Sequence, residues 1–308
     1  MSLENLNIGQ RISIRGVVWF AYAAAALLLL RIDNLTLWAV IVTVVALLLA
    51  LVPQLRPSVS REFDGRDMIA IGVLYIGVVA AFRVAFTVFT TNSVLGLFLG
   101  FAAGLLLGVV GPIVYQVWIR DRDLVSLGIG GHQLPETISA GLILAALQFS
   151  TTLWGYDLPA PVDWVPLMVM SLVVGLFEAV FFRGFIQSRL EASFGVIPAV
   201  AGTALLYSLY HFGYGMGVTE MWFLFGLGVV YAVTFRITSN ILVIWPLLTP
   251  LGAFFNNLQA GDITLPWESI LGFVDVAVVM GVVAWLANRS IRKRRRGIAQ
   301  QTGAESLV

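Results

Sequence analysis

Cysteine is absent from the 308 residues. Its absence excludes disulfides, thiolate metal sites and a cysteine nucleophile. Charge is scarce: Asp, Glu, Lys and Arg make up 11% of the chain, against about 25% in soluble domains. The length would allow two soluble domains, but no stretch is polar enough to be one. Histidine occurs only twice, at His132 and His211. There is no repeat of fixed period, no low-complexity tract and no feature pointing to nucleic acid. No small-residue cleavage site follows the first apolar run, so that run is not a typical cleaved signal.

What is present is apolar. Hydrophobic residues make up 59% of the chain, and mean hydropathy is +0.93. Runs of about 20 apolar residues mark membrane helices. They predict an all-α, polytopic transmembrane bundle of eight to ten spans. Ten are read, at 16–31, 35–52, 68–90, 94–118, 137–154, 164–187, 196–214, 221–236, 239–256 and 268–287. The first two form a hairpin through the polar turn Arg31-Ile32-Asp33-Asn34, and Pro246 and Pro250 point to broken helices late in the chain. With the N-terminus in the cytoplasm, sixteen of the eighteen basic residues fall on that side. Arg31 lies outside and Arg83 within a span. This positive-inside pattern puts both termini in the cytoplasm. The basic tail, Arg289 and Arg292 to Arg296, reads as an anchor on anionic lipid or as a docking site for a partner.

A charged group in mid-bilayer costs at least about 2.5 kcal/mol, so each one needs a reason. Arg83, Glu178, His211 and Asp275 stand out, with Arg183 and Glu220 nearer to span ends. At 1.5 Å per residue, Glu178 lies roughly 15 Å and His211 roughly 20 Å into antiparallel spans. The two can therefore meet at similar depth. One reading is a water-activating site, with Glu178 as general base and His211 as oxyanion donor or metal ligand. The other is structural, with Glu178 paired to Arg183 and His211 bonded to a carbonyl. Arg83 and Asp275 read as structural partners in the bundle, and His132 as a solvated loop residue.

At these residues the sequence resembles a known family. Glu178-Ala-Val-Phe-Phe-Arg183 resembles the Glu-Glu-x-x-x-Arg motif of the CPBP intramembrane proteases, the Rce1-like (Abi) group of CAAX and bacteriocin processing. Tyr207-Ser-Leu-Tyr-His211 resembles its Phe-x-x-x-His motif. Trp222 to Trp245-Pro-Leu-Leu resembles the approach to its third motif, and Arg122-Asp-Leu-Val-Ser-Leu-Gly-Ile resembles the lead-in. The resemblance covers about residues 120–258. It implies three regions: N-terminal membrane helices (1–119), a protease-like domain (120–258), and a last span with a basic tail (259–308). It implies Glu178 as base, His211 as oxyanion donor or metal ligand, Arg183 as a brace, Tyr207 as packing, and Asn256 or Asn257 as an amide donor. Two departures stand out. Ala179 replaces the second glutamate, and no histidine follows His211 to begin the third motif, His-x-x-x-Asn. Leu248, Thr249 and Gly252 are candidates for the lost position. One histidine and one glutamate make a poor zinc site, because catalytic zinc takes three protein ligands; a glutamate-and-water reaction survives the loss better.

Three functions follow. The first is an intramembrane endopeptidase acting on a membrane-associated or lipidated peptide. The second is a noncatalytic member of the same fold that binds membrane proteins. The third is a small-solute transporter. Membrane lipids are partners in each case, and the expected location is the plasma membrane.

Overall fold

The computed structural model describes residues 14–56, 59–89, 94–261 and 264–305. Its described residues are helical and contain no strand. The α-helices are α1 (Ile14–Leu28), α2 (Leu35–Leu51), α3 (Gly65–Val84), α4 (Val94–Val114), α5 (Leu134–Thr152), α6 (Pro161–Glu178), α7 (Ser188–Phe194), α8 (Val196–Tyr210), α9 (Val218–Thr238), α10 (Leu248–Ala260) and α11 (Ser269–Glu305). Among the described residues, seven helices are long and apolar enough to cross a membrane. Leu35–Leu51 is a shorter apolar helix. The chain is a multi-pass membrane protein.

Segment 239–256, read above as one span, is not one helix. Asn240 accepts a hydrogen bond from the amide of Leu242 and starts a 3-10 turn over Ile241–Val243. Only after Pro246, which has no amide hydrogen to continue a helix, does α10 begin.

The longest enclosed element runs Pro161–Phe194, with 72% of its apolar window buried inside the bundle. It joins α6 to α7 through a nine-residue π-helix, Ala179–Gln187, and all nine residues of that segment are buried. A helix that is apolar around its whole circumference belongs in a core rather than on a surface, and the other helices pack around this one. Without a hydrophobic drive between helices in lipid, close van der Waals packing holds such bundles. Small residues provide it here: Gly226 lies against Ala39, and Gly228 against Ala204. The rings of Phe82 and Phe177 fill the space over Gly104 and Gly108.

Gly184 is the tightest approach to backbone. A Cβ there would stand 2.3 Å from the carbonyl oxygen of Leu127, in the 3-10 turn Leu124–Leu127 that docks on the π-helix. Gly184→Ala is therefore expected to destabilise the fold by about 1–3 kcal/mol, the usual cost of overpacking. Thermal unfolding in detergent measures this. Gly281→Ala, where nothing lies within 4 Å, serves as the neutral control.

Arg11 lies outside the described residues, and several of the other basic residues assigned above to one side meet acidic partners in linked clusters. Arg120 and Arg122 pair with Asp64 and Asp67, Arg236 with Glu191, and Arg294 and Arg295 with Asp121 and Asp123. Arg31 donates to the Ser150 carbonyl, at the far end of α5. Arg183 departs from its assignment. It is 1% exposed and sits in the core.

Candidate active site

Glu178 is the last residue of α6 and leads directly into the π-helix. In i→i+5 bonding, the residue five positions on stands one turn above. That places Arg183 over Glu178, where an α-helix would turn it away. Such segments recur at functional sites.

Antiparallel α8 supplies the facing groups. Tyr207 and Tyr210 lie three apart on one helix face, and both point at Glu178. Tyr210 donates from its hydroxyl to Glu178 Oε1, and Tyr207 donates to Oε2 over 3.4 Å. Both carboxylate oxygens are thus held by phenols. The Arg183 guanidinium lies over the Tyr207 ring, 5.0 Å from its centroid, a cation–π placement. Its Nη1 and Nη2 are buried without a hydrogen-bond partner. Arg183 is therefore a core cation with two free donors. No ion pair joins it to Glu178 among the described residues.

His211 opens the 3-10 turn His211–Tyr214 at the end of α8. Its Nδ1 lies 2.9 Å from the Tyr207 carbonyl oxygen. With that nitrogen bonded to a carbonyl, the ring presents Nε2 as its second functional atom. The imidazole packs 4.0 Å from the Tyr210 ring, centroid to centroid, and 5.1 Å from Tyr207. Glu178 and His211 therefore share the two tyrosines as neighbours and make no direct hydrogen bond. Tyr207, expected to act as packing, is a hydrogen-bond donor to the carboxylate.

Of the three candidates for the missing histidine, Gly252 faces polar groups. A Cβ on it would stand 2.6 Å from Tyr231 Oη, and the Tyr231 ring lies 6.4 Å from that of Tyr207. Leu248 is buried apolar packing, and Thr249 donates to the Ile244 carbonyl. Asn256 keeps the four-residue spacing from Gly252 but is exposed, and Asn257 is half-buried. Neither is enclosed with Glu178. Arg83 lies at the margin: it donates to the Phe212 carbonyl over 3.4 Å and supports the His211 turn from outside. Asp275 is exposed on α11, away from the site.

Glu178 and His211 supply at most two protein ligands for a metal. Among the described residues no group of three His, Asp or Glu side chains is placed to hold one. This donor set does not fit a catalytic zinc.

Sequence reasoning missed Tyr210 and Tyr231. A signal for Tyr210 was present. A buried phenol usually finds a partner, and two tyrosines three apart in an apolar helix face toward a common acceptor.

No curated protein and no solved structure matches the chain. A family model does, that of the type II CAAX prenyl endopeptidase Rce1-like proteins, over residues 160–247. The match covers less than a third of the chain, and it contains Glu178, Arg183, Tyr207, Tyr210, His211 and Tyr231 while stopping short of Gly252 and Asn256. Residues 160–247, which carry the whole buried constellation, are thus similar to the Rce1-like family.

Proposed function

We propose that the chain is an intramembrane endopeptidase that hydrolyses a peptide bond of a membrane-associated protein or peptide. The observation that carries this reading is the carboxylate of Glu178, 5% exposed, held at both oxygens by Tyr207 and Tyr210 beneath a guanidinium with free donors. In the reaction, Glu178 takes a proton from water as the water oxygen bonds to the substrate carbonyl carbon. Arg183 donates to the resulting oxyanion, and His211, whose Nδ1–H is on the Tyr207 carbonyl, presents Nε2 as an acceptor that can orient the water. The C–N bond then breaks, and the proton passes from Glu178 to the leaving nitrogen, giving a carboxylate and an amine. We place both termini in the cytoplasm, because the basic residues assigned to that side belong there by the positive-inside rule. The plasma membrane is the proposed location, and residues 120–258 are the proposed catalytic domain.

A noncatalytic binding role is the second reading. Gly252 in place of a histidine and Ala179 in place of a glutamate favour it. Purified protein in proteoliposomes, incubated with a library of membrane-tethered peptides and analysed by mass spectrometry, separates the two. Cleavage is expected, and it is expected to persist in the presence of a metal chelator because the donor set does not fit zinc. Absence of any cleavage, with the protein folded, would sink the peptidase reading.

A further inference from the structure

Two connected cavities lie at the start of α8, the opposite end from His211 and about 20 Å away along the helix. The first, of about 400 Å³, is lined by Arg15, Arg56, Arg61 and residues 195–198. The second, of about 490 Å³, shares Arg15, Val196 and Ile197. It runs on between α1, α2, α8 and α9 past Trp19, Ala46, Val200 and Val229.

The first cavity is lined by cations and, among the described residues, by no carboxylate. Among the described residues, no carboxylate pairs with the guanidinium of Arg15, Arg56 or Arg61. Arg61 stands directly on the N-cap of α8. A Cβ on Gly195 would lie 2.9 Å from its Nε and Nη2. That helix has no side-chain cap and no acidic residue in its first turn. A cation placed against the positive end of a helix dipole is unfavourable, and a bound anion between them would reverse the sign of the interaction. The second cavity is lined mainly by apolar side chains. Besides the shared Arg15, its lining arginine is Arg236, which is already paired with Glu191 and donates to Ser239.

From this juxtaposition we infer that the two cavities hold one anionic phospholipid, its phosphate among Arg15, Arg56 and Arg61 at the N-terminus of α8, and an acyl chain in the groove between α1, α2, α8 and α9. Basic pockets between membrane helices select anionic headgroups in this way. A free phosphate would fill the mouth and leave the apolar groove empty, so the lipid is the occupant that matches both halves. The inference does not depend on the peptidase reading.

Native mass spectrometry of the full chain in detergent tests it, with phosphatidylglycerol and phosphatidylcholine of the same acyl chains as probes. Phosphatidylglycerol is expected to be retained in preference. Combined Arg15→Gln, Arg56→Gln and Arg61→Gln should weaken that retention by roughly tenfold or more. Val200→Trp, which fills the groove and leaves every charge in place, should weaken it as well. Removing the same charge from the tail, by Arg292→Gln, Lys293→Gln and Arg296→Gln, should leave it unchanged. Thermal unfolding verifies that each variant is folded. Equal retention of the two lipids, or full retention by the triple variant, would overturn the inference. So would displacement of the lipid by equimolar inorganic phosphate, or tighter retention of a farnesylated peptide carboxylate at the same arginines.

Discussion

Glu178→Gln is expected to lower the proposed peptide cleavage by about a hundredfold to ten-thousandfold, the range a positioned general base contributes. The substitution keeps size and shape, so packing in the buried site is retained. An amide oxygen can still accept from one phenol. The other position becomes an NH2 group facing a hydroxyl that was donating, and no atom remains to take a proton from water. Tyr210→Phe is the companion variant. It leaves the base in place and removes one of the two groups that aim it, so a smaller loss of about tenfold is expected. Initial rates on a cleaved peptide in proteoliposomes read both effects, with melting curves to verify folding. If Glu178→Gln retains full activity, the base lies elsewhere.

Asp67→Asn costs about 3 kcal/mol of stability, the low end of the range for breaking a buried ion pair. Asp67 is 3% exposed. It accepts from the Tyr115 hydroxyl at 2.8 Å and from Arg122 Nη1 at 2.9 and 3.0 Å. Arg120 and Arg189 stand at 4.0 and 3.9 Å. The low end applies because the Arg122 side chain is still 27% exposed, so water screens part of the charge that is released. Loss of the carboxylate leaves Arg120 and Arg122 with Asp64 and takes the Asp67 charge away from Arg189. These residues tie the start of α3 to the end of the α4 helix and to α7, so the break loosens three elements at once. Thermal unfolding in detergent should show a large drop for Asp67→Asn and a smaller one for Asp64→Asn, because Asp64 is the more exposed of the two. Equal melting of Asp67→Asn and the unsubstituted protein would show that the cluster is not structural.

The membrane class and most helix positions were legible because long apolar runs have few alternatives in a folded chain. The spans at 16–31, 68–90, 94–118, 164–187, 196–214, 221–236 and 268–287 each overlap a helix long and apolar enough to cross. Residues 239–256 misled because their hydropathy is continuous while their backbone is not: Asn240 and Pro246 set the local structure, and an average over the window hides both. Glu178 and His211 stood out because charge and imidazole are rare in such runs. Their true link, through Tyr207 and Tyr210, was not. Tyrosine is ordinary in a membrane helix, and only the facing geometry of α6 and α8 turns these two into donors. Arg183 was misplaced in depth: the span was closed at residue 187, four residues beyond it, whereas the helical element runs on to Phe194.

The π-helix at Ala179–Gln187 therefore also sets a phase. Each of its residues advances by less than the roughly 100° of an α-helix, so the stripe that holds Glu178 does not continue in the same register beyond it. A helical wheel drawn across residues 161–194 with one period assigns the second half to the wrong neighbours. The inserted slack is what lets a carboxylate and a guanidinium five positions apart both meet Tyr207, and losing a single residue from that stretch would rotate them out of each other's view.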